Sequence, residues 1–401
     1  MKVKFSTEEL TKRFAQLGSV VDKKASVKLY SYVRLFTYAV ADGVGVAIMG
    51  VATDAGLTVF FSKETAQADG ELDILLPFGK LTEILAPVSA KETTIQADGT
   101  SVTLRAGKLV AKIKTIPLTA ECGWPIQEQP ETIKATLGLP GFLEQIDQVA
   151  FAVPSENGKH AIASAKLEGK SKEADGAFGF VKLVGTDGWR LAISTVAIDA
   201  GVFDLTLPKT ALDRLKHLTG ATLAVYEDAE RGFYFQTDNE VLTVTHTAGV
   251  FPPYDKVIPK AAHKTVITVK KPALEEAVRS VRPLAEDDSP LVLFSVIEGA
   301  LVLQAISSEA SPDAEGGVFR NQATTDIEAT VNGPAVEFAL NAEHLEPFLA
   351  AASGDITIGV QRADQVIDFM VAGEGKGYRF LQMPMQMKPV AAAPAAAPVT
   401  A

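Results

Sequence analysis

The sequence predicts an α+β chain in which one module, antiparallel sheets with two helices, is repeated three times in tandem. Three observations carry this reading: an amphipathic helix, a shorter second helix, and a strand closed by a small polar turn each recur at roughly 130-residue intervals along the 401 residues. A chain of this length divides naturally into two to four domains, and a hydrophobic share of 47% gives each repeat enough apolar side chain for its own core.

The first helix is read from apolar residues at three- and four-residue steps. They are Leu10, Phe14, Leu17 and Val21, then Leu139, Leu143, Ile146 and Ala150, then Leu274, Ala277, Val278 and Val281. The second begins at Leu76-Pro77, Leu207-Pro208 and Leu340-Asn341, and in every copy another Leu follows five residues after the first. Proline is tolerated near a first helical turn because its missing N–H has no intrahelical partner there, and asparagine is a good N-cap. The strand-and-turn marker is Gly50-Val51-Ala52-Thr53-Asp54, then Leu183-Val184-Gly185-Thr186-Asp187, then Leu303 to Ser308. Alternating apolar runs at Val102 to Ile113, Gly232 to Thr247 and Asp355 to Met370 each read as a hairpin or meander. Polar, proline-bearing stretches at Gln127 to Thr132 and Val257 to Lys264 place the joins near 130 and 260. The expected modules are therefore 1–130, 131–260 and 261–387, followed at 388–401 by a low-complexity Ala/Pro tail with nothing to bury.

Composition narrows the function. A net charge of -11 argues against a surface that wraps nucleic acid all round, yet leaves room for a basic stripe on an acidic body. The N-terminal MKVKFSTEEL lacks the apolar core of a secretion signal and no long apolar run follows, so a cytoplasmic chain without a membrane partner is expected. Cys122, the single cysteine, excludes an intrachain disulfide and any zinc site built on several thiolates. His160, His217, His246, His263 and His344 are dispersed, with no metalloprotease spacing, and neither a P-loop nor a GxSxG elbow occurs. No catalytic residue, metal or cofactor is assigned, and binding rather than catalysis is expected.

Three segments then stand out: Thr186-Asp187-Gly188-Trp189-Arg190-Leu191-Ala192, Phe251-Pro252-Pro253-Tyr254 through Val257-Ile258-Pro259, and Met383-Pro384-Met385-Gln386-Met387. In this order, on a threefold repeat, they resemble the bacterial replicative sliding clamps, the β subunits of DNA polymerase III, over about residues 1 to 387. The resemblance implies a ring-shaped homodimer with sheets outside and helices lining a hole for double-stranded DNA. It also implies a groove that takes short linear motifs of polymerase and clamp-loader subunits, and a role in processive replication.

Basic residues on the predicted helices, Lys12, Arg13, Lys80, Lys209, Arg214, Lys216, Arg279 and Arg282, are the expected sequence-independent phosphate contacts. The resemblance adds Lys24. It also assigns the groove to Ile162, Thr186, Gly188, Trp189, Arg190 and Leu191 with Pro252, Val257, Leu381, Met383, Pro384 and Met385. At the self-association edge it assigns Ala111 and Ile113 of one protomer opposite Pro283 and Leu284 of the other. The chain departs from the family pattern at Trp189, commonly His, at Gln386 and Met387, often Arg and Leu, and in its tail. Those departures motivate an alternative, a clamp paralogue serving as decoy or inhibitor-resistant spare copy. A repeat protein that never meets DNA is a further alternative, against which the basic helical residues argue.

Overall fold

The computed structural model describes the chain except residues 22–26, 119–122, 126–129, 131, 158–161, 172–178, 199–200, 229, 247–248, 286–289, 313–317, 374–375 and 387–401. Lys24, Cys122, His160, Met387 and the tail thus lie outside the described residues. The chain divides into two compact units, 1–150 with 163–183 and 197–250, and 151–162 with 184–196 and 251–401.

The first unit contains a nine-stranded antiparallel sheet. Its order is Ile116–Pro117, Asp73–Pro77, Tyr32–Val40, Gly43–Val51, Ala55–Phe61, Glu240–Val244, Gly232–Gln236, Thr222–Asp228 and Ile133–Gly138. In its middle, Ala55–Phe61 pairs with Glu240–Val244, Leu57 opposite Leu242, so strands from the first and second repeats share one hydrogen-bonded ladder. The Val, Ile and Met side chains of Gly43–Val51 are buried in an almost unbroken run, as expected of a strand covered on both faces. A second sheet orders Ala66–Ala68, Lys2–Ser6, Glu92–Asp98, Ser101–Ala106 and Leu109–Lys114, the last forming a free edge.

Among the described residues this unit has four α-helices: α1 (Thr7–Leu17), α2 (Phe78–Leu85), α3 (Leu139–Val149) and α4 (Lys209–Leu215). Ser6 caps α1 by accepting a hydrogen bond from the Glu9 amide, and Glu8 and Glu9 add negative charge where the helix dipole is positive. Phe14 of α1 stacks on Phe78 of α2 with ring centres 5.8 Å apart.

The second unit has a sheet portion ordered Arg190–Ala197, Lys376–Gln382, Ile367–Gly373, Ile356–Val360, Thr265–Val269 and Thr330–Asn332. A four-stranded sheet orders Val318–Glu328, Ala300–Pro312, Leu291–Ile297 and Glu337–Asn341. Its helices are α5 (Lys271–Val281) and α6 (Ala342–Ala351), and Asn341 caps α6 through the Glu343 amide at 2.8 Å. Phe348 of α6 stacks on Phe380 at 4.9 Å within an aromatic core that includes Phe369.

The buried stations of α1, α3 and α5 coincide: Leu10, Phe142 and Leu274; Arg13, Gln145 and Ala277; Phe14, Ile146 and Val278; Leu17, Val149 and Val281. This corrects the sequence reading, because Phe142 and not Leu143 holds the inward station, which makes the three markers evenly spaced. Val21 and Ala150 are buried but lie beyond their helix ends. The third strand-and-turn marker is also corrected. Leu303 to Ser308 is the middle of a strand running to Pro312, paired on both sides and with a register shift between Ile306 and Ala310, because an irregular stretch of strand carries the same small polar residues as turns.

Candidate functional site

In the second unit, the segment Thr186 to Arg190 reverses the chain tightly. Gly188 takes a φ of +92°, a conformation that favours glycine. The Asp187 carboxylate accepts the amides of Trp189 (2.9 Å) and Arg190 (3.0 Å), while the Thr186 hydroxyl donates to the Arg190 carbonyl at 2.8 Å. A turn tied at both ends holds Trp189 outward, 67% exposed.

The strand leaving this turn pairs with Lys376–Gln382, setting Leu191 opposite Leu381, and the Met383 amide donates to the Trp189 carbonyl at 2.9 Å. Leu191 and Leu381 are fully buried and join Phe251 and Tyr254 in one apolar cluster, against which Ile162 packs. Tyr254–Lys256 forms a single 3-10 turn that leaves Val257 half exposed. These elements enclose an open groove of about 430 Å³.

Nine residues assigned from the sequence line the groove: Thr186, Gly188, Trp189, Arg190, Leu191, Pro252, Val257, Leu381 and Met383. Ile162 lies in the supporting layer, and Pro384 and Met385 continue past the lining, the Met385 amide donating to the Ala339 carbonyl at 2.8 Å. Sequence reasoning missed four lining residues, Pro253, Tyr254, Lys256 and Val366. The first three fall within the motif at 251–259 and could have been found there; Val366 carries no local signal.

Arg190 lines the groove, yet its guanidinium is already engaged. It donates to Asp187 Oδ2 (2.8 Å) and to the Phe151 carbonyl (2.9 Å), and it lies over the Phe151 ring at 5.4 Å. It therefore positions the turn. Behind it, burial pushes the His344 imidazole below the usual histidine range and the Arg190 charge adds to this, with Asp187 and Glu343 pulling the other way. A histidine with a depressed folded pKa contributes stability that is complete above its unfolded value and lost as pH falls below it. Thermal melts between pH 7.5 and 5 should show a decline that His344→Gln makes shallower; superimposable pH profiles would contradict this.

No family model matches the chain. The crystal structure of the β subunit from the DNA polymerase of Streptococcus pyogenes matches with a TM-score of 0.83 at 14% identity, covering 96% of this chain and 100% of that one. A Pseudomonas aeruginosa sliding clamp bound to griselimycin matches with a TM-score of 0.81 at 18% identity over the same shares. The chain has the fold of the bacterial β sliding clamp. In sequence, the P. aeruginosa β sliding clamp is 22% identical over 347 residues, 84% of this chain and 87% of that protein. The resemblance read from the three motifs thus extends over most of the chain.

On this clamp fold the predicted phosphate contacts separate. Lys12 and Lys80 are exposed. Lys216 is exposed beside Asp147 at 2.6 Å, and Arg279 is exposed beside Glu275 at 2.9 Å. Arg282 bridges Glu343 and Glu346 of α6, and the Lys209 ammonium donates to the Ala150 carbonyl at 2.7 Å.

Two assignments are corrected. Arg13 is buried, pairing with Glu9 and with Glu240 at 2.6 Å each. Arg214 is held by both oxygens of Asp54 (2.7 and 2.9 Å) and by the Ser19 carbonyl. Burial alone would raise the Asp54 carboxyl, but the hydrogen bonds and charge of Arg214 outweigh it and hold the carboxyl below its usual range. Neither guanidinium is available to phosphate.

At the expected self-association edge, Ala111 is half-buried on the free strand Leu109–Lys114, and Ile113 is already 7% exposed within its own sheet. Ile113 therefore has little side-chain surface left to give, a correction to its assignment. Pro283 is exposed and Leu284 half-buried in the 3-10 turn Arg282–Leu284.

Proposed function

We propose that this chain is the processivity clamp of a bacterial replicase, acting by encirclement and tethering with no catalytic step of its own. Each protomer contributes three modules, 1–130, 131–260 and 261–387, and two protomers close head to tail around double-stranded DNA in the cytoplasm. Short linear motifs of polymerase and clamp-loader subunits dock in the groove. The observation that carries this reading is the groove itself: three of the exposed large hydrophobic residues, Trp189, Val257 and Met383, converge on it, on a chain whose fold is a clamp throughout. Lys12, Lys80, Lys216 and Arg279 are the proposed phosphate contacts, diffuse and sequence-independent so that the ring can slide. No helix among the described residues is long and apolar enough to cross a membrane. No observation favours the decoy reading.

Light scattering combined with retention on nicked circular and on linear plasmid tests the proposal. The mass of two chains, with retention on circles after loading and loss from linear ends, is the expected result. A monomer, or retention indifferent to ends, would overturn it. Griselimycin, the ligand carried by the P. aeruginosa clamp, is proposed to occupy this groove, and Leu284→Lys should shift the mass toward one chain while griselimycin is still bound.

A further inference from the structure

We propose that His263 is a positioning residue for the groove: seated on Gly359 and bonded to Asp368, it holds down the end of the segment whose beginning forms one wall, and so keeps that wall in place for a docking partner. This rests on reading the groove as a docking site. Three observations point to it.

The first is how the wall is fastened. Pro252, Pro253, Lys256 and Val257 line the groove, and all four lie on the irregular segment that precedes the strand Thr265–Val269. At its start Phe251 and Tyr254 are buried in the apolar cluster with Leu191 and Leu381, their rings meeting edge to face at 6.2 Å. Beyond Val257, Lys260, Ala261, Ala262 and Lys264 are exposed, and Ile258 is only partly buried. His263 fastens this stretch just before the strand begins.

The second is the seat. The His263 Nε2–H donates to Asp368 Oδ2 at 2.9 Å, since a carboxylate can only accept. Asp368 is fully buried and is held in turn by Arg379, whose Nε and Nη2 donate to its two oxygens at 2.9 and 2.6 Å. The imidazole rests on Gly359, where an added Cβ would stand 2.3 Å from the ring Cδ2 and 2.5 Å from Nε2. Gly359 sits inside the strand Ile356–Val360 and its φ is not in the left-handed region, so no turn asks for a glycine here; the close approach of the ring does.

The third is where the seat stands. Asp368 is paired directly with Gly359 in one neighbouring strand and with Leu381 in the other, and residues so opposed project to one face of a sheet. Leu381 lines the groove, as does Val366, two residues before Asp368. The seat is thus built into the same face as the groove floor, and a wall fastened to it keeps its register with Leu381. Fastening in advance matters because a partner that has to order a loose wall loses part of its binding energy. The imidazole uses one nitrogen, its Nδ1 being buried without a hydrogen-bond partner, so a glutamine amide standing in for Nε2 should keep the tie.

Hydrogen exchange by mass spectrometry on the full chain, read at the amides of residues 255–262, tests the wall without a ligand. His263→Ala should speed exchange there about fivefold, the scale of one lost hydrogen bond, and leave the strands Ile356–Val360 and Ile367–Gly373 at their original rates. Gly359→Ala, which fills the seat and displaces the ring, should have the same effect although the histidine is present. The two together should do no more than either alone, because both remove one tie. His263→Gln should stay within about twofold of the parent chain. In calorimetric titration each alanine variant should bind griselimycin about fivefold more weakly than the parent, while its melting temperature moves by no more than about 4 °C. Unchanged exchange in His263→Ala would overturn the proposal. So would strictly additive effects of the two substitutions, acceleration spread through the strands, or an unaltered griselimycin affinity in both variants. A parent chain that does not bind griselimycin, with exchange responding as expected, would leave the tie standing and show instead that the groove is misread.

Discussion

Replacing Arg13 with alanine is expected to destabilise the first unit by about 3–5 kcal/mol, the range for breaking a buried ion pair at one partner. The reason is Glu240, which is 1% exposed. Its Oε1 accepts from Arg13 (2.6 Å), Gln16 (2.9 Å) and the Thr219 hydroxyl (2.7 Å), and its Oε2 accepts the Thr219 amide at 2.7 Å. With alanine at position 13 the neutral donors remain but the cation does not, leaving a charge in a place water does not reach. Urea unfolding followed through Trp124, in a Trp189→Phe background, measures the loss. The combined Arg13→Leu and Glu240→Leu variant should recover much of it, since replacing both charges removes the desolvation cost together with the attraction. A single-variant loss below about 1 kcal/mol would show that the pair is not shielded from water as described above.

If griselimycin occupies the groove as proposed above, Trp189→Ala should weaken its binding by about 2 kcal/mol, some thirtyfold, which is the scale of an aromatic hot spot at the centre of a binding surface. Stability should hardly move, within about 0.5 kcal/mol, because a side chain 67% exposed gives up little on truncation. Calorimetric titration paired with a thermal melt distinguishes the two effects. An unchanged affinity would place the docking energy elsewhere in the groove, and a large drop in melting temperature would mean that the indole supports the turn it sits on. Met383→Ala should also weaken capture, and Met385→Ala should weaken it less, because Met385 lies beyond the lining residues.

Periodicity made the helices legible, and it did so because burial on one face of a helix is written every three or four residues. It slipped at α3, where Phe142 and Leu143 are adjacent and both apolar, so that only packing decides which faces inward. The polar run after Leu303 was misread for a related reason: Ser307 and its neighbours occur as readily where a paired strand shifts register as in a turn. Motifs disclosed most of the groove because the turn at Thr186 to Arg190 needs its particular Thr, Asp and Gly to close. Val366 was invisible because a lone valine after a polar loop says nothing of the wall it will join. Arg13 and Arg214 were mistaken for surface cations since a basic residue on a helix usually faces water. Glu9 is within a local window of Arg13, but Glu240 and the Asp54 that holds Arg214 lie 227 and 160 residues away in the chain, and no local window could reveal them.

The ladder between Ala55–Phe61 and Glu240–Val244 means that the interval of repetition is not the interval of independent folding. A fragment cut near residue 130 would bare the N–H and C=O groups of a strand carrying Leu57, Val59 and Phe61, an adhesive edge that would pair with whatever copy came near. For the same reason the amides along this seam sit mid-sheet, where release to solvent calls for opening the whole ladder rather than fraying a margin. A chain that reads as copies laid end to end is, at this seam, inherited in repeats but proofread by folding as one piece.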